Sequence, residues 1–169
     1  MATSMTKIVP GTHVTSDFLT EETSNMYDMA CPAYREVKNR LSEMGLKTHR
    51  QNLANYADKG YEILKLVLPA LKDRALAPGS NVNVDETWER FQTHFGHRKT
   101  YMWCLVNRKG SLFFGSVQGA LRSAMYNTFI QTCKQVGVSF RQYFKALLKA
   151  VKSGRTDYEN LLPMTICLD

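Results

Sequence analysis

Apolar residues recur at steps of three and four along most of the 169-residue chain, which is the spacing of amphipathic helices. Thr15 or Ser16 is placed to cap a first helix that runs to about Ala30, with acidic residues in its first turns. A second helix is predicted over residues 33–44, and Gly45 stops it. One face of this second helix is apolar and is predicted to pack on the core: Tyr34, Val37, Leu41 and Met44.

The third predicted helix has a polar outer face. Thr48 is placed to cap it. A helix, a short glycine turn and a helix rich in Arg, Gln and Asn form the outline of a helix-turn-helix, and such side chains make paired hydrogen bonds with guanine and adenine edges. Any helical hairpin has a similar outline, so DNA reading and simple packing both stay open. The candidate DNA-binding residues are Arg35, His49, Arg50, Gln51, Asn52 and Asn55.

The pattern is helical again from Tyr61 to Ala77, with a stripe at Leu64, Val67, Leu68 and Leu71 that indicates core. The sequence APGS at 77–80 breaks the chain. After it the period changes to two, because Val82 and Val84 alternate with asparagines, and residues 100–107 are rich in aromatic and branched side chains. We predict an antiparallel hairpin over residues 81–107, with Asp85 near the end of its first strand.

Two further helices are predicted near the C-terminus. The first covers residues 118–136, with Met125, Phe129, Cys133 and Val136 on one face, and Gly137 ends it. The second begins at a Ser139 cap and runs to about Lys152, with Phe144, Leu147, Leu148 and Val151 turned inward. Its other face is cationic, and a solvated surface is favoured over phosphate contacts. These cations are Arg141, Lys145, Lys149 and Lys152.

The elements together predict a mainly α fold with a small antiparallel β-hairpin, in the α+β class. We divide the chain into a flexible leader at 1–14, a helical region with the helix-turn-helix outline at 15–79, the hairpin at 80–109 and a C-terminal helical segment at 110–169.

Composition narrows the partners. The formal net charge is +7, which favours a polyanion such as nucleic acid and equally fits a basic, solvated surface. No apolar run approaches the roughly 18 residues of a membrane span, and the start of the chain does not resemble a signal peptide. The four cysteines form no CxxC pair, which is typical of a reducing cytoplasm.

Asp85 is the sharpest candidate for chemistry. A strand end is a rigid mount on which a carboxylate can hold a hard cation such as Mg²⁺. One carboxylate is not a site, and a solvated Asp is the favoured interpretation on pattern alone. Zinc at His94, His97 and Cys104 is disfavoured by the spacing of the two histidines. Nothing in the sequence pairs a cysteine nucleophile with a histidine.

Three blocks of the chain resemble the bacterial insertion-sequence transposases numbered sixty-six, of the DDE type. The first is helical and contains PAYR at 32–35, Gly-Leu at 45–46 and HRQNLANY at 49–56. The second is VNVDETW at 82–88 followed by KTYMWCLV at 99–106. The third contains LFFGS at 112–116, TCK at 132–134 and LLP at 161–163. Three blocks in this order are similar to the family across nearly the whole chain.

The resemblance implies a role for Asp85. It matches the first acid of the DDE triad, on the first strand of an RNase H-like fold, where it would help hold divalent Mg²⁺ ions. These ions would activate water or a DNA 3′-hydroxyl for attack on a phosphodiester. The implied partner is DNA at the terminal repeats of the mobile element, and the implied location is the bacterial cytoplasm, at the nucleoid.

The chain departs from the family between the second and third blocks. A long family segment with the second Asp and the catalytic Glu is missing, because residues 106–110 pass almost directly into Ser111. The later acids Glu86, Glu89, Asp157, Glu159 and Asp169 have other contexts. The chain therefore resembles a transposase with a large internal deletion of its catalytic core. We expect a remnant of the RNase H-like core, flanked by helices, with the C-terminal helices packed on the hairpin.

Two functions of different classes follow. The chain is a transposase that cleaves and joins strands, or it is an inactive DNA-binding remnant that represses or competes with full-length transposase. The missing acids favour the second, unless another chain supplies them. Partners besides DNA would be a second copy or the full-length transposase. A decaying gene without function is a third interpretation.

Overall fold

The computed structural model describes residues 14–78, 85–93, 96–104 and 117–168, with the backbone alone for the strands. Two N-terminal helices each pass into a wider π-helical turn. In chain order the elements are α1 (Ser16–Thr23, continued by π-helical Ser24–Asp28), α2 (Ala33–Arg35, continued by π-helical Glu36–Leu41), α3 (Arg50–Ala75), β1 (Asp85–Thr93), β2 (Gly96–Cys104), α4 (Val117–Gln135), α5 (Phe140–Lys152) and a 3₁₀ turn (Tyr158–Leu161).

The start of α1 agrees with the sequence pattern. The backbone N–H of Phe18 donates to the Thr15 side-chain oxygen at 3.2 Å, so Thr15 is confirmed as the cap. The helix ends slightly before the predicted residue. Ala30 has a φ of 52°, in the left-handed region that a helix cannot continue through.

α2 does not present the apolar face that its spacing predicts. Leu41 is fully buried, whereas Tyr34 is 54% exposed and Met44 is 62% exposed. The cause is the π-helical turn from Glu36 to Leu41, because its hydrogen bonds span five residues and rotate the later side chains away from a 3.6-residue stripe. Glu36 is buried together with Leu41, although the pattern predicted that only apolar side chains of this helix would be buried.

α3 is one helix of 26 residues where the sequence indicated a short helix and a second one from Tyr61. Gly60 does not break it. A Cβ at Gly60 would overlap the Tyr126 hydroxyl and lie 3.0 Å from Cζ of Phe144, so the glycine allows α4 and α5 to approach α3 closely. The apolar positions Leu64, Val67 and Leu71 are buried, as the stripe predicted.

The core lies between α1, α3, α4 and α5. Its centre is aromatic: the rings of Phe129 and Tyr143 stack at 6.0 Å, and those of Phe140 and Phe144 stack at 5.4 Å. Each such buried ring contributes roughly 1.5–3 kcal/mol of transfer free energy. The core also includes Val14 and Leu162, so the N-terminal and C-terminal helices share one hydrophobic interior.

The strands occupy other positions than the sequence indicated. β1 begins at Asp85 and pairs antiparallel with β2, so that the Cα of Trp88 lies opposite that of Tyr101. The expected first strand ended near Asp85, and its Val82 and Val84 lie outside the described residues. The shift follows from the β-forming Thr, Trp and Phe residues after Asp85, which extend the strand through a segment that the alternation rule did not include.

The predicted α+β class, with a remnant of an RNase H-like core, is wrong for this molecule. In the described ranges the hydrophobic core consists of helices, and the two strands pair with each other in a sheet of two. Two strands are too few to bury a sheet face. The expectation that the C-terminal helices cover the hairpin is also wrong, because α4 packs mainly on α3 and α5, and α5 packs mainly on α1 and α4.

Candidate nucleic-acid interface

The connection between α2 and α3 begins at a glycine. Gly45 has a φ of 76°, the backbone N–H of Leu46 donates to Leu41 O at 2.8 Å, and that of Gly45 donates to Ser42 O at 3.0 Å. This bond pair is a Schellman ending, which confirms Gly45 as the stop. Residues 44–49 then lead to α3. The connection is longer than the three- or four-residue turn of a helix-turn-helix, so the hairpin departs from that motif here.

Thr48 does not cap α3, contrary to the sequence prediction. The residue before the helix is His49, which is extended (φ −120°, ψ 151°) and makes no side-chain capping bond. The Thr48 hydroxyl instead accepts a hydrogen bond from Asn52 Nδ2 at 3.2 Å. The helix starts one residue later than the cap pattern indicated, which leaves the Thr48 side chain beside Asn52.

The first turns of α3 present three of the candidate residues to solvent. Leu53 and Ala57 are buried on the opposite side from Gln51 and Asn55, which turns these two outward, and Arg50 is exposed as the first residue of the helix. Gln51 Nε2 donates to Asn55 Oδ1 at 3.1 Å, so these two amides already share one orientation. These polar side chains form an accessible surface at the start of the helix.

The remaining candidates lie beside this surface. His49 is exposed directly before α3, and Asn52 is half-buried against the connection. Arg35 is exposed on α2, which packs against α3. A hydrogen bond with Tyr34 raises the pKa of Arg35, so its guanidinium stays charged. The structure therefore places Arg35 on α2, His49 directly before α3, and the other four candidates in the first turns of α3.

A buried ion cluster that was not predicted from the sequence fixes α2 on α1. Arg40 Nε donates to Glu36 Oε2 at 2.6 Å, and a second guanidinium nitrogen of Arg40 contacts Glu22 of α1. Glu22 is fully buried and Glu36 nearly so. The four-residue spacing of Glu36 and Arg40 was visible as a helical pair. Nothing local in the sequence marks Glu22 as the third member, because it lies 18 residues before Arg40 on a different helix.

A cleft lies at the same connection. Its volume is about 440 Å³, and its walls combine apolar, hydroxyl and cationic side chains. It was not predicted, because the residues that form it come from the end of α2, the connection and the cap position of α3. They are Val37, Ser42, Gly45, Leu46, Lys47, Thr48 and His49.

Charge is unevenly distributed around the cleft. From residue 35 to residue 50 the exposed charged side chains are cationic, with Glu43 as the one exposed acid in that range. Glu36 is buried and paired with Arg40, so it adds little negative potential at the surface. This surface therefore attracts anions. The exposed cations are Arg35, Lys38, Lys47 and Arg50.

The cationic face of α5 has a different environment. Arg141 pairs with Glu21 at 2.8 Å, and Lys145 pairs with Asp17 at 2.7 Å, both across to α1. These acids pair with two residues of the predicted stripe and join α1 to α5. The acids that the sequence indicated as helix-dipole partners thus also serve as ion-pair partners of α5.

Asp85 is the first residue of β1, and its Cα lies opposite that of Cys104. Within the ranges that the structure describes, no three His, Cys, Asp or Glu side chains come together as metal ligands. A divalent cation requires several converging oxygen ligands. The described residues therefore bring together no set of ligands that could hold Mg²⁺.

Cys133 is a core residue and not a nucleophile. Burial, together with the negative charge of Asp28, raises the pKa of its thiol to about 12. A thiol with that pKa is uncharged near neutrality, and the thiolate is the reactive form. Cys31 has a raised pKa as well, from burial and from a hydrogen bond to Glu36.

Comparison with known proteins gives the class of this chain. A protein-family model described as Transposase IS66 family matches residues 11–131, and the chain belongs to this family. The match spans the first two resembling blocks and the beginning of the third. No curated protein and no solved structure matches. Membership connects the chain with DNA transposition, and no helix among the described residues is long and apolar enough to cross a membrane.

Proposed function

We propose that this chain binds the terminal DNA of a mobile element through the start of α3, without a complete catalytic centre of its own. The observation that carries the proposal is that Arg50, Gln51 and Asn55 are all exposed in the first turns of α3. Family membership supplies the connection with transposition.

The chemistry of these side chains suits base reading. Arginine can donate two hydrogen bonds to guanine, and asparagine or glutamine can pair with adenine. Helices that enter the major groove contact bases with their first turns. Arg50 and Gln51 lie in the first turn of α3, and Asn55 lies one turn later on the same side as Gln51.

Cations on both sides of the connection suit the phosphates. Arg35 and Lys38 are exposed on α2, and Lys47 is exposed before α3. Phosphate contacts position a protein on DNA and supply most of the sequence-independent affinity. His49 and Asn52 lie between the two groups and complete the proposed contact surface.

The proposal for catalysis rests on the sequence. Asp85 is proposed as the remaining first acid of the family's DDE triad, whose Mg²⁺ site would need ligands that another chain supplies. The short passage from β2 to α4 supports an internal deletion of the catalytic core. A chain of this kind would repress full-length transposase or compete with it at the element ends. It would do so as an assembly of its own copies or as a mixed assembly with the full-length protein.

The test compares variants in binding and in nicking. Arg50→Ala and Gln51→Ala are expected to reduce the preference for the terminal repeat over a shuffled duplex by about tenfold each, since a paired base contact is worth roughly 1–3 kcal/mol. Asp85→Ala is expected to leave binding unchanged. Affinities are measured by fluorescence anisotropy with both duplexes.

The matched control is Lys152→Ala, which removes an exposed cation on α5, away from α3. It should leave the sequence preference intact. If Asp85→Ala abolished a Mg²⁺-dependent nicking activity of the purified wild-type chain, the claim of incomplete catalysis would be wrong. If Arg50→Ala and Lys152→Ala weakened both duplexes equally, base reading by α3 would be wrong.

A further inference from the structure

The cleft between α2 and α3 has a composition that duplex DNA alone does not require. Val37 and Leu46 form apolar wall, and Leu46 is 45% exposed. His49 contributes an aromatic ring at the edge, and Lys47 contributes a cation. To bind the phosphate backbone of a duplex, the cation alone would be sufficient. An apolar wall with an aromatic ring and a cation is the combination that binds unpaired nucleotides, since bases stack on rings and phosphates seek lysine.

The size of the cleft agrees with such a ligand. Its volume of about 440 Å³ lies within the range of small-molecule pockets, roughly 300–1,000 Å³. Ser42 adds a hydroxyl, which can bond to the edge of a base or to a sugar. The Thr48 hydroxyl already accepts a bond from Asn52, so its orientation is set by α3.

Charge argues against a second copy of this chain as the occupant. Two copies facing each other here would bring together Lys47, Arg50 and their equivalents, with Glu43 as the one exposed acid of the 35–50 segment to offset them. Like charges across an interface cost several kcal/mol. An anionic occupant is complementary to this surface. The DNA proposed above contacts α3 from Arg50 onward, and His49 is the residue before Arg50.

We propose that this cleft binds an unpaired nucleotide next to the duplex held by α3. The base lies against Leu46 and the His49 ring, and its phosphate lies at Lys47. This inference rests on the proposed function and specifies its substrate: the chain prefers DNA whose duplex ends in a single-stranded extension.

The experiment measures the ratio of affinities for two DNA molecules that differ only at one end. One is a blunt duplex carrying the terminal repeat, and the other carries a short single-stranded extension at that end. The full wild-type chain is expected to bind the extended DNA about tenfold more tightly, the effect of one stacked base. Leu46→Ala and His49→Ala should bring this ratio close to one.

Two control variants separate stacking from damage to the fold. His49→Phe keeps an aromatic ring and should keep most of the preference. Leu121→Ala removes an apolar side chain of similar exposure on α4 (Leu121 is 50% exposed) and should leave the ratio unchanged. Lys47→Ala should lower the salt dependence of binding to the extended DNA by about one counterion.

The outcomes distinguish the two proposals. If the wild-type chain bound the extended and the blunt DNA equally tightly, the proposal that the cleft binds an unpaired nucleotide would be wrong. The proposal that α3 reads the duplex would be unaffected. Binding of single-stranded DNA without binding of blunt duplex would overturn the reading by α3 and support the cleft. A ratio of one, together with binding of a poly-glutamate peptide that Leu46→Ala abolishes, would assign the cleft to an acidic protein and overturn the proposal.

Discussion

Gly60 is a residue of α3 at which side chains of both α4 and α5 come close to the backbone. The Tyr126 hydroxyl donates to Ala57 O at 2.9 Å, and the Tyr126 and Phe144 side chains occupy the space that a Cβ at Gly60 would need. Its importance was not apparent from the sequence, where a lone glycine in a helical pattern counts as a mild weakness. The close contact at Gly60 is made by Tyr126, which lies 66 positions later in the chain, and no local sequence pattern connects the two residues.

Gly60→Ala is therefore expected to destabilise the fold by about 1–3 kcal/mol, the usual cost of overpacking, although alanine favours helices. The measurement is the urea midpoint of the purified variant. Tyr126→Phe in the same chain removes the overlapping hydroxyl, so the double variant should lose less than the sum of the two single losses. Additive losses would show that the contact at Gly60 is not the cause.

Arg40 carries a second prediction at this scale. Arg40→Met leaves Glu22, which is fully buried, without its guanidinium partner. The expected loss is about 3–5 kcal/mol in the free energy of unfolding, because an unpaired buried charge is costly. Lys65→Met is the matched control, since its pair with Glu62 is exposed and should contribute less than about 1 kcal/mol. Equal losses in both variants would contradict the buried cluster.

Helix positions could largely be predicted from the sequence, and their faces only in part. The apolar stripe of α3 and the glycine endings at Gly45 and Gly137 follow local rules, and the structure has them. The prediction of an apolar face on α2 was wrong because a π-helical turn changes the helical period from residue 36 onward. Ser139 precedes α5 as expected, although its side chain makes no capping bond.

The candidate interface could also be predicted only in part from the sequence. Exposure of Gln51 and Asn55 follows from the helical period, that of Arg50 follows from its place at the helix start, and all three are exposed in the structure. The cleft and the ion cluster behind it depend on how α2 packs on α1 and α3. Packing between elements is decided by tertiary contacts such as those of Glu22, and a single sequence does not display them.

The contact between α3 and α4 carries a prediction for these two elements. Arg122 pairs with Asp58 at 2.8 Å and donates to Ala54 O at 2.8 Å, both on α3. Arg122→Met keeps the apolar stem and removes both bonds, so we expect a loss of about 1–3 kcal/mol, measured by urea unfolding. Arg141→Met, whose pair with Glu21 is half exposed, should lose less. The reverse order would mean that α4 is held by its apolar face alone.

At the scale of the whole molecule, the aromatic core determines the response to alkaline pH. Burial raises the pKa of Tyr126 and Tyr143 well above 10.0, the ordinary tyrosine value, and that of Cys133 from 9.0 to about 12. The folded state holds these protons more tightly than the unfolded chain. Stability is thus fully present below the unfolded pKa values and falls as pH rises through and beyond them.

The urea midpoint should accordingly stay level up to about pH 9 and decrease steadily above about pH 10. Tyr143→Phe removes one of the buried groups and should make this decrease less steep. Tyr34→Phe, at an exposed position, is the control and should follow the wild type. An identical pH dependence in all three proteins would exclude the buried tyrosines as the cause.

The central claim is that a helical body of a transposase family reads DNA with the start of its third helix. Its most direct test is a titration of the purified chain against the terminal repeat and a shuffled duplex, at about 50 mM and about 200 mM salt. We predict tighter binding of the terminal repeat that persists at the higher salt concentration. Equal binding of both duplexes that disappears at the higher concentration would contradict the claim and leave only attraction between phosphates and a basic surface.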